Sequence, residues 1–300
     1  MKFQIVSDSS CDLGREAAER LGIFMVSYYV SLDGATYYRE EQDISTREFY
    51  QKMADAPGVF PKTSMPTIQD YLDVFQPLAK QGSPILCICL NARFSGSYQC
   101  ANNARLALLE EYPMAQIYVM DSQLATVLQG QLVEEAVLLR DQGYTLEAAV
   151  EKLEAVRSSG RIFFTTNDLE YLRHGGRIGR AAAATGTLLK VKPLIGYENC
   201  ELVSDGIAQG RKNSLRRVRE LFYRYVQRQE LDLKRWRVVT GFGLDRGEYD
   251  TFTDQVFEGL QQQEMAVPRS AVYQIGVTIG VHTGPTPIGV GILRRTGYEE

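Results

Sequence analysis

The sequence predicts an α/β protein of two domains, the first a parallel sheet with helices on both faces, the second a mixed or antiparallel sheet with helices packed on it. Three observations carry this. The chain has 300 residues, about the size at which a single core stops growing and a chain divides. Through the first half, short apolar runs alternate with helix-like stretches, the pattern of parallel strands joined by crossover helices. Past Ser158-Ser159-Gly160 the strands become longer and partly alternating. The expected domains are therefore 1–158 and 159–300.

The elements follow in order. Phe3 to Ser7 is a short apolar strand running into Asp8-Ser9-Ser10-Cys11-Asp12, and Arg15 to Leu21 is helix-like. Val26 to Leu32 reads as a strand because β-branched and aromatic side chains fill it. Ser45 with Glu48 three places on is the reciprocal capping pattern, so a helix starts there and stops before Pro57-Gly58. Thr67 caps the next helix, which runs to about Lys80. Pro84 to Leu90 and Gln116 to Met120 are strands, each followed by a helix, and Gly143 parts the helices Gly130 to Gln142 and Thr145 to Val156. In the second half Arg161 to Thr166, Leu188 to Tyr197, Trp236 to Phe242 and Ala271 to Val281 read as strands. Ser214 to Arg228 and Glu248 to Gln263 read as helices. Ligands of parallel α/β sheets bind outside the carboxyl ends of the strands. The loops Asp8-Ser9-Ser10, Ser95-Gly96-Ser97 and Asp121-Ser122 are thus expected at one rim.

Composition excludes several function classes. Net charge is −4 with both signs abundant, which argues against a nucleic-acid partner. No stretch approaches the roughly 20 apolar residues of a membrane span, and Met1 to Asp8 lacks the pattern of a signal peptide. A cytoplasmic protein without stable membrane insertion is expected. Five scattered cysteines do not describe a disulfide framework; Cys87 and Cys89 alternate with Leu86, Ile88 and Leu90 as in a buried strand. With His174 and His282 the only histidines, neither a metal site nor a cofactor is expected. No P-loop and no dinucleotide fingerprint occurs, so no kinase chemistry of the chain's own is expected.

Few groups remain that can do chemistry. Ser95-Gly96-Ser97-Tyr98 stands between an apolar run and a helix, where unpaired N–H donors and a glycine suit an anion. Lys62-Thr63-Ser64 is a second hydroxyl loop, and the two together could hold one carboxylate. The same hydroxyls are ordinary helix caps, each stabilising by about 1 kcal/mol, and the residues alone leave both readings open. A serine nucleophile would need a base and an orienting acid. His282 is the sole plausible base and there is no Gly-x-Ser-x-Gly elbow, so an acyl hydrolase or transferase using Ser95 and His282 is the alternative. The run Tyr171 to Arg180 sets three arginines and a histidine around Gly175-Gly176. It reads as an exposed basic docking loop, or as a helix end with a glycine stop. Gly276 to Gly291 mixes glycine with Val and Ile, leaving room for an apolar ligand or for close sheet packing.

Taken together these pieces resemble the DegV family of bacterial fatty-acid-binding proteins. The resemblance rests on Val6 to Leu13, Lys62 to Thr67, Phe94 to Gln99, Asp121-Ser122, Leu172 to Ile178, Leu189 to Leu194 and His282-Thr283-Gly284-Pro285. It implies two α/β domains holding one long-chain fatty acid between them, with no other cofactor. The carboxylate would be bound by Thr63 and Ser95, with Ser64, Gly96, Ser97 and Thr283 around it and His282 beside it. It further implies a carrier subunit that presents the carboxylate to a separate ATP-dependent fatty acid kinase subunit, which makes acyl phosphate for phospholipid synthesis. Arg173, Gly176 and Arg177 would dock that partner. The chain departs from the pattern at Ser97, where Thr is frequent, at Cys100, where Ser is frequent, at Thr286-Pro287 and at Gln209.

Overall fold

The computed structural model describes residues 2–184, 191–265 and 267–298. The first half contains β1 (Gln4–Asp8), a 3-10 turn (Ser9–Cys11), α1 (Gly14–Leu21), β2 (Ile23–Val26), β3 (Tyr29–Ser31), β4 (Tyr38–Arg39), α2 (Thr46–Asp55) and β5 (Lys62–Ser64). It continues through α3 (Ile68–Lys80), β6 (Ile85–Cys89), α4 (Ser97–Glu111), β7 (Ile117–Asp121), α5 (Thr126–Asp141) and α6 (Leu146–Arg157). Strands β2-β1-β6-β7 make a parallel sheet. The second half contains β8 (Arg161–Thr165), α7 (Glu170–His174), β9 (Val191–Glu198), β10 (Glu201–Gln209), α8 (Arg211–Arg228), β11 (Trp236–Phe242), α9 (Arg246–Gln262), β12 (Tyr273–Gln274), α10 (Val277–Thr283) and β13 (Ile288–Arg294). Its sheet runs β10-β9-β8-β13-β11-β12, antiparallel except for the parallel β11–β12 edge.

The apolar pattern stacks these sheets in layers. Tyr71 and Phe75 of α3 and Ala101, Ala104 and Leu108 of α4 bury the outer face of the parallel sheet. Its inner face, Ile5, Leu86 and Ile88, packs on α5 and α6, which also cover Ile162, Phe164 and Leu293 of the second sheet. Val218 and Phe222 of α8 with Phe252 and Val256 of α9 close the far side. Helix α5 is buried nearly all round, as a helix between two sheets must be. The capping signals are realised: Ser45 accepts from the Glu48 amide, and Thr67 and Asp70 form a reciprocal capping box.

Four expectations are corrected. Val26 to Leu32 is two strands: β2 pairs with β1, while β3 turns away at Ser27-Tyr28 into a small sheet, β4-β3-β5. Lys62-Thr63-Ser64 is β5 of that sheet rather than a loop. Glu201 to Gln209, unassigned from sequence, is β10, whose alternation breaks at a bulge between Ser204 and Gly206, with Gly206 at φ +109°. Ala271 to Val281 is the two-residue β12 followed by α10, so His282 rides on a helix rather than ending a strand. By sequence α10 belongs to the second half; by packing it lies in the first, with Val277 and Val281 among Val30, Phe49, Tyr50 and Met53. The Leu189-Lys190 part of the quoted motif, and the start of the strand expected from Leu188, lie outside the described residues.

Candidate functional site

A cavity opens between the two sheets, with about 930 Å³ of space free of protein atoms, open solvent at its mouth included. Its walls are mostly apolar: Leu90, Phe94 and Val127 from the first half, Ile162, Phe164 and Leu202 from the second. Gly241, Gly289 and Gly291 line it as well. Gly241 and Gly289 face each other across β11 and β13. A Cβ on Gly289 would come within 2.5 Å of Phe164 Cβ, and one on Gly291 within 2.9 Å of Leu128 Cδ2. The close-packing reading of the glycine run therefore holds at Gly289 and Gly291, whose backbone also lines the cavity.

The polar groups gather at one end. Thr63 on β5 and His282 on α10, 219 residues apart, meet with Thr63 Oγ1 and His282 Nε2 at 3.1 Å. The Ser95 Oγ accepts from the Tyr28 hydroxyl at 2.7 Å and from the Ser97 amide at 3.2 Å. Thr283 lines the cavity, and its hydroxyl donates to the Ile279 carbonyl. Arg177 reaches the same end, its Nε donating to the Phe94 carbonyl at 3.1 Å and its Nη1 to the Gly175 carbonyl at 2.7 Å. It is the only Lys or Arg in the lining among the described residues. His282 Nδ1 is buried without a partner. Burial, and then the positive charge of Arg177, push the imidazole pKa down to about 4, so it is neutral at physiological pH.

The expected head-group residues divide. Thr63, Ser95, His282 and Thr283 line the cavity; Ser64, Gly96 and Ser97 do not. Ser64 is exposed on β5, and the space beside Gly96 is taken by Met65, whose Sδ would lie 2.7 Å from an added Cβ. Ser97 is fully buried: it donates to Asp8 Oδ2 at 2.7 Å and bonds to the Tyr71 hydroxyl at 2.6 Å. Asp8 also accepts from the Leu90 amide, Gln129 and Ser10, which brings the β1 and β6 loops to one rim as expected. Its pKa is raised by burial against the pull of these bonds. Arg173 is exposed and paired with Glu170. Gly176 takes the left-handed conformation at φ +67°, with the Arg177 amide reaching back to the Leu172 carbonyl. The glycine stop is thus real, and Arg177 gains a role beyond it, tying the α7 turn to Phe94 of the first half. Tyr28 is the site residue that sequence reasoning missed; its place among strand aromatics carried no distinguishing signal.

The hydrolase alternative finds no relay here. His282 Nε2 is engaged with Thr63, its Nδ1 has no orienting acid, and among the described residues the Ser95 hydroxyl bonds to Tyr28 and the Ser97 amide, not to His282.

The family model described as "Uncharacterised protein, DegV family" matches residues 2–295. The chain belongs to the DegV family. A DegV domain-containing protein of Clostridium perfringens is 27% identical over 297 residues, 98% of each chain. Among solved structures, a stearic-acid-binding protein of Eubacterium ventriosum is 39% identical, with TM-score 0.91 and 98% of each chain covered. A fatty-acid-binding DegV family protein of Thermus thermophilus is 29% identical, with TM-score 0.84, covering 98% of this chain and 100% of its own. The fold expected from the sequence is thus the DegV fold, and fatty acid binding is described for members of the family. Among the described residues no helix is long and apolar enough to cross a membrane.

Proposed function

We propose that this DegV chain binds one long-chain fatty acid, the tail along the glycine-floored cavity and the carboxylate against Thr63 and Ser95. The observation that carries the reading is the single cavity end where two hydroxyls, a neutral imidazole and Arg177 converge below apolar walls. Its 39%-identical structural relative is a stearic-acid-binding protein. Burying some fifteen methylenes at about 0.8 kcal/mol each yields on the order of 12 kcal/mol before ordering costs. The tail supplies the affinity, while the head-group donors keep a buried carboxylate satisfied. A buried Thr or Ser donor to a charged group contributes about 1.5–3 kcal/mol. Thr63→Ala and Ser95→Ala should each weaken binding about ten-fold or more, with the melting temperature shifting by only a few degrees.

The finer part of the proposal is presentation of the carboxylate to an ATP-dependent fatty acid kinase subunit for acyl-phosphate formation, feeding phospholipid synthesis in the cytoplasm. The exposed Arg173 and the Arg177 turn at the cavity end support it, with Gly176 shaping that turn. Mass spectrometry of an organic extract of the purified chain should find a long-chain fatty acid; an extract without one rejects the binding reading. Reversing the exposed Arg173 to Glu, which lies outside the cavity lining, should leave lipid content unchanged and sharply lower turnover with the kinase subunit and ATP. Unchanged turnover rejects the docking role.

A further inference from the structure

The two head-group hydroxyls can be sorted by what they already hold. A hydroxyl has one proton to donate and two lone pairs to accept with. Both lone pairs of Ser95 are engaged, by the Tyr28 hydroxyl and the Ser97 amide. What Ser95 has left is its proton. The arrangement behind it is rigid: Ser97 Oγ donates to Asp8 and so accepts from Tyr71, and Asp8 is bonded to the β6 end and to α5. Tyr28 is itself 3% exposed, so its hydroxyl has nowhere better to turn.

Thr63 yields to the same accounting. Its oxygen meets His282 Nε2, while His282 Nδ1 is sealed without a partner. A buried N–H left unpaired is a rarer and costlier defect than a bare lone pair. The proton therefore sits on Nε2, which donates to Thr63 and leaves the Thr63 proton free. Arg177, with N–H groups beyond the two already used, adds only donors.

We propose that this end of the cavity is a donor trap that selects an ionised carboxylate over a neutral alcohol head on the same chain, with Tyr28 setting the polarity of Ser95. The proposal rests on the fatty acid reading and names its chemical discriminator. A carboxylate accepts without needing to donate, so it takes both hydroxyl protons. A primary alcohol must place a proton: Ser95 has no lone pair to receive it, and the second lone pair of Thr63 takes it only by leaving the Thr63 proton without an acceptor. Sites built on such bonds reject the mismatched head because buried groups are then left unpaired.

The test uses the delipidated full-length chain, titrated with stearate and with stearyl alcohol, for the wild type and for Tyr28→Phe. The wild type should favour the acid. In Tyr28→Phe a lone pair of Ser95 is released, and the acid-over-alcohol ratio should fall about five-fold, the equivalent of one neutral hydrogen bond. A loss of general stability would weaken both ligands together and leave the ratio alone. If the wild type binds neither ligand, the fatty acid reading itself fails. If it binds both equally, the trap fails without any variant being needed. If Tyr28→Phe keeps the full preference, the role of Tyr28 fails while the fatty acid reading stands.

Discussion

His282 shows how one residue joins site and stability. Its pKa is held near 4 against an ordinary 6.5, by burial first and Arg177 second. A base depressed on folding binds fewer protons in the folded than in the unfolded chain between those values. Its contribution is therefore present above pH 6.5 and lost as pH falls toward 4, with a full size on the order of 3 kcal/mol. His282→Gln, which keeps a donor for Thr63, should flatten the decline of stability between pH 6.5 and 4 in urea titrations; an unchanged slope would place the imidazole in solvent. Above pH 6 the folded imidazole carries no charge, so ligand affinity there should not follow its titration. At this scale Thr63, Ser95 and His282 were singled out from sequence, as hydroxyls before helices and a lone histidine before Gly284-Pro285, and all three line the cavity. Tyr28 and Asp8 were not, since their roles depend on which oxygen each meets across the fold.

At the scale of elements, the amphipathic helices and the apolar strands could be read directly, because period and capping are local. Helix α10 could not. Val277, Thr278, Ile279 and Val281 favour a strand on local preference, but Glu40 accepts from both the amide and the hydroxyl of Thr278, satisfying the first turn from another element. Gly276 and Gly280 then admit what no side chain would: a Cβ on Gly276 would lie 2.6 Å from Asp12 Oδ1, and one on Gly280 2.3 Å from the Tyr50 hydroxyl. The bare stretch on β11 and β13 supplies the element-scale prediction. A Cβ on Gly241 would sit 3.0 Å from Val127 Cγ1 and 3.4 Å from Ile275 Cγ1, tight but with side chains that can give. Gly241→Ala should keep the fold and shift preference toward shorter acids, with stearate weakened several-fold more than myristate, as one occupied methylene position is worth about 0.8 kcal/mol. Equal weakening of both acids would show that the tail does not pass Gly241.

At the scale of the molecule, the layers are fastened by a buried acidic knot. Asp12, itself left-handed at φ 56°, accepts from Thr126 of α5, while Glu40 holds Ser9 and Thr278. Asp12 Oδ1 and the Tyr50 hydroxyl are buried without partners. Burial first, and then Glu40 and Glu41 nearby, raise the Asp12 pKa well above the usual carboxylate range. A carboxyl raised on folding contributes stability that is present below its unfolded pKa and lost as pH rises through the folded one. Asp12→Asn does not titrate, so the stability of the variant relative to wild type should climb as pH rises above the ordinary carboxylate range in thermal melts. A constant difference would mean that Asp12 is ionised throughout.

The sequence by itself determined the α/β class, the parallel and mixed sheets and the hydroxyl turn at Ser95 before α4, because apolar period, turn chemistry and caps act over a few residues. Only the tertiary structure decided that α10 crosses into the first half, that Thr63 meets His282, and that Ser97 and Gly96 serve the scaffold instead of the cavity. Those outcomes depend on contacts between residues as many as 238 positions apart. Hydrogen bonds and excluded volume at that separation have no signature in local pattern.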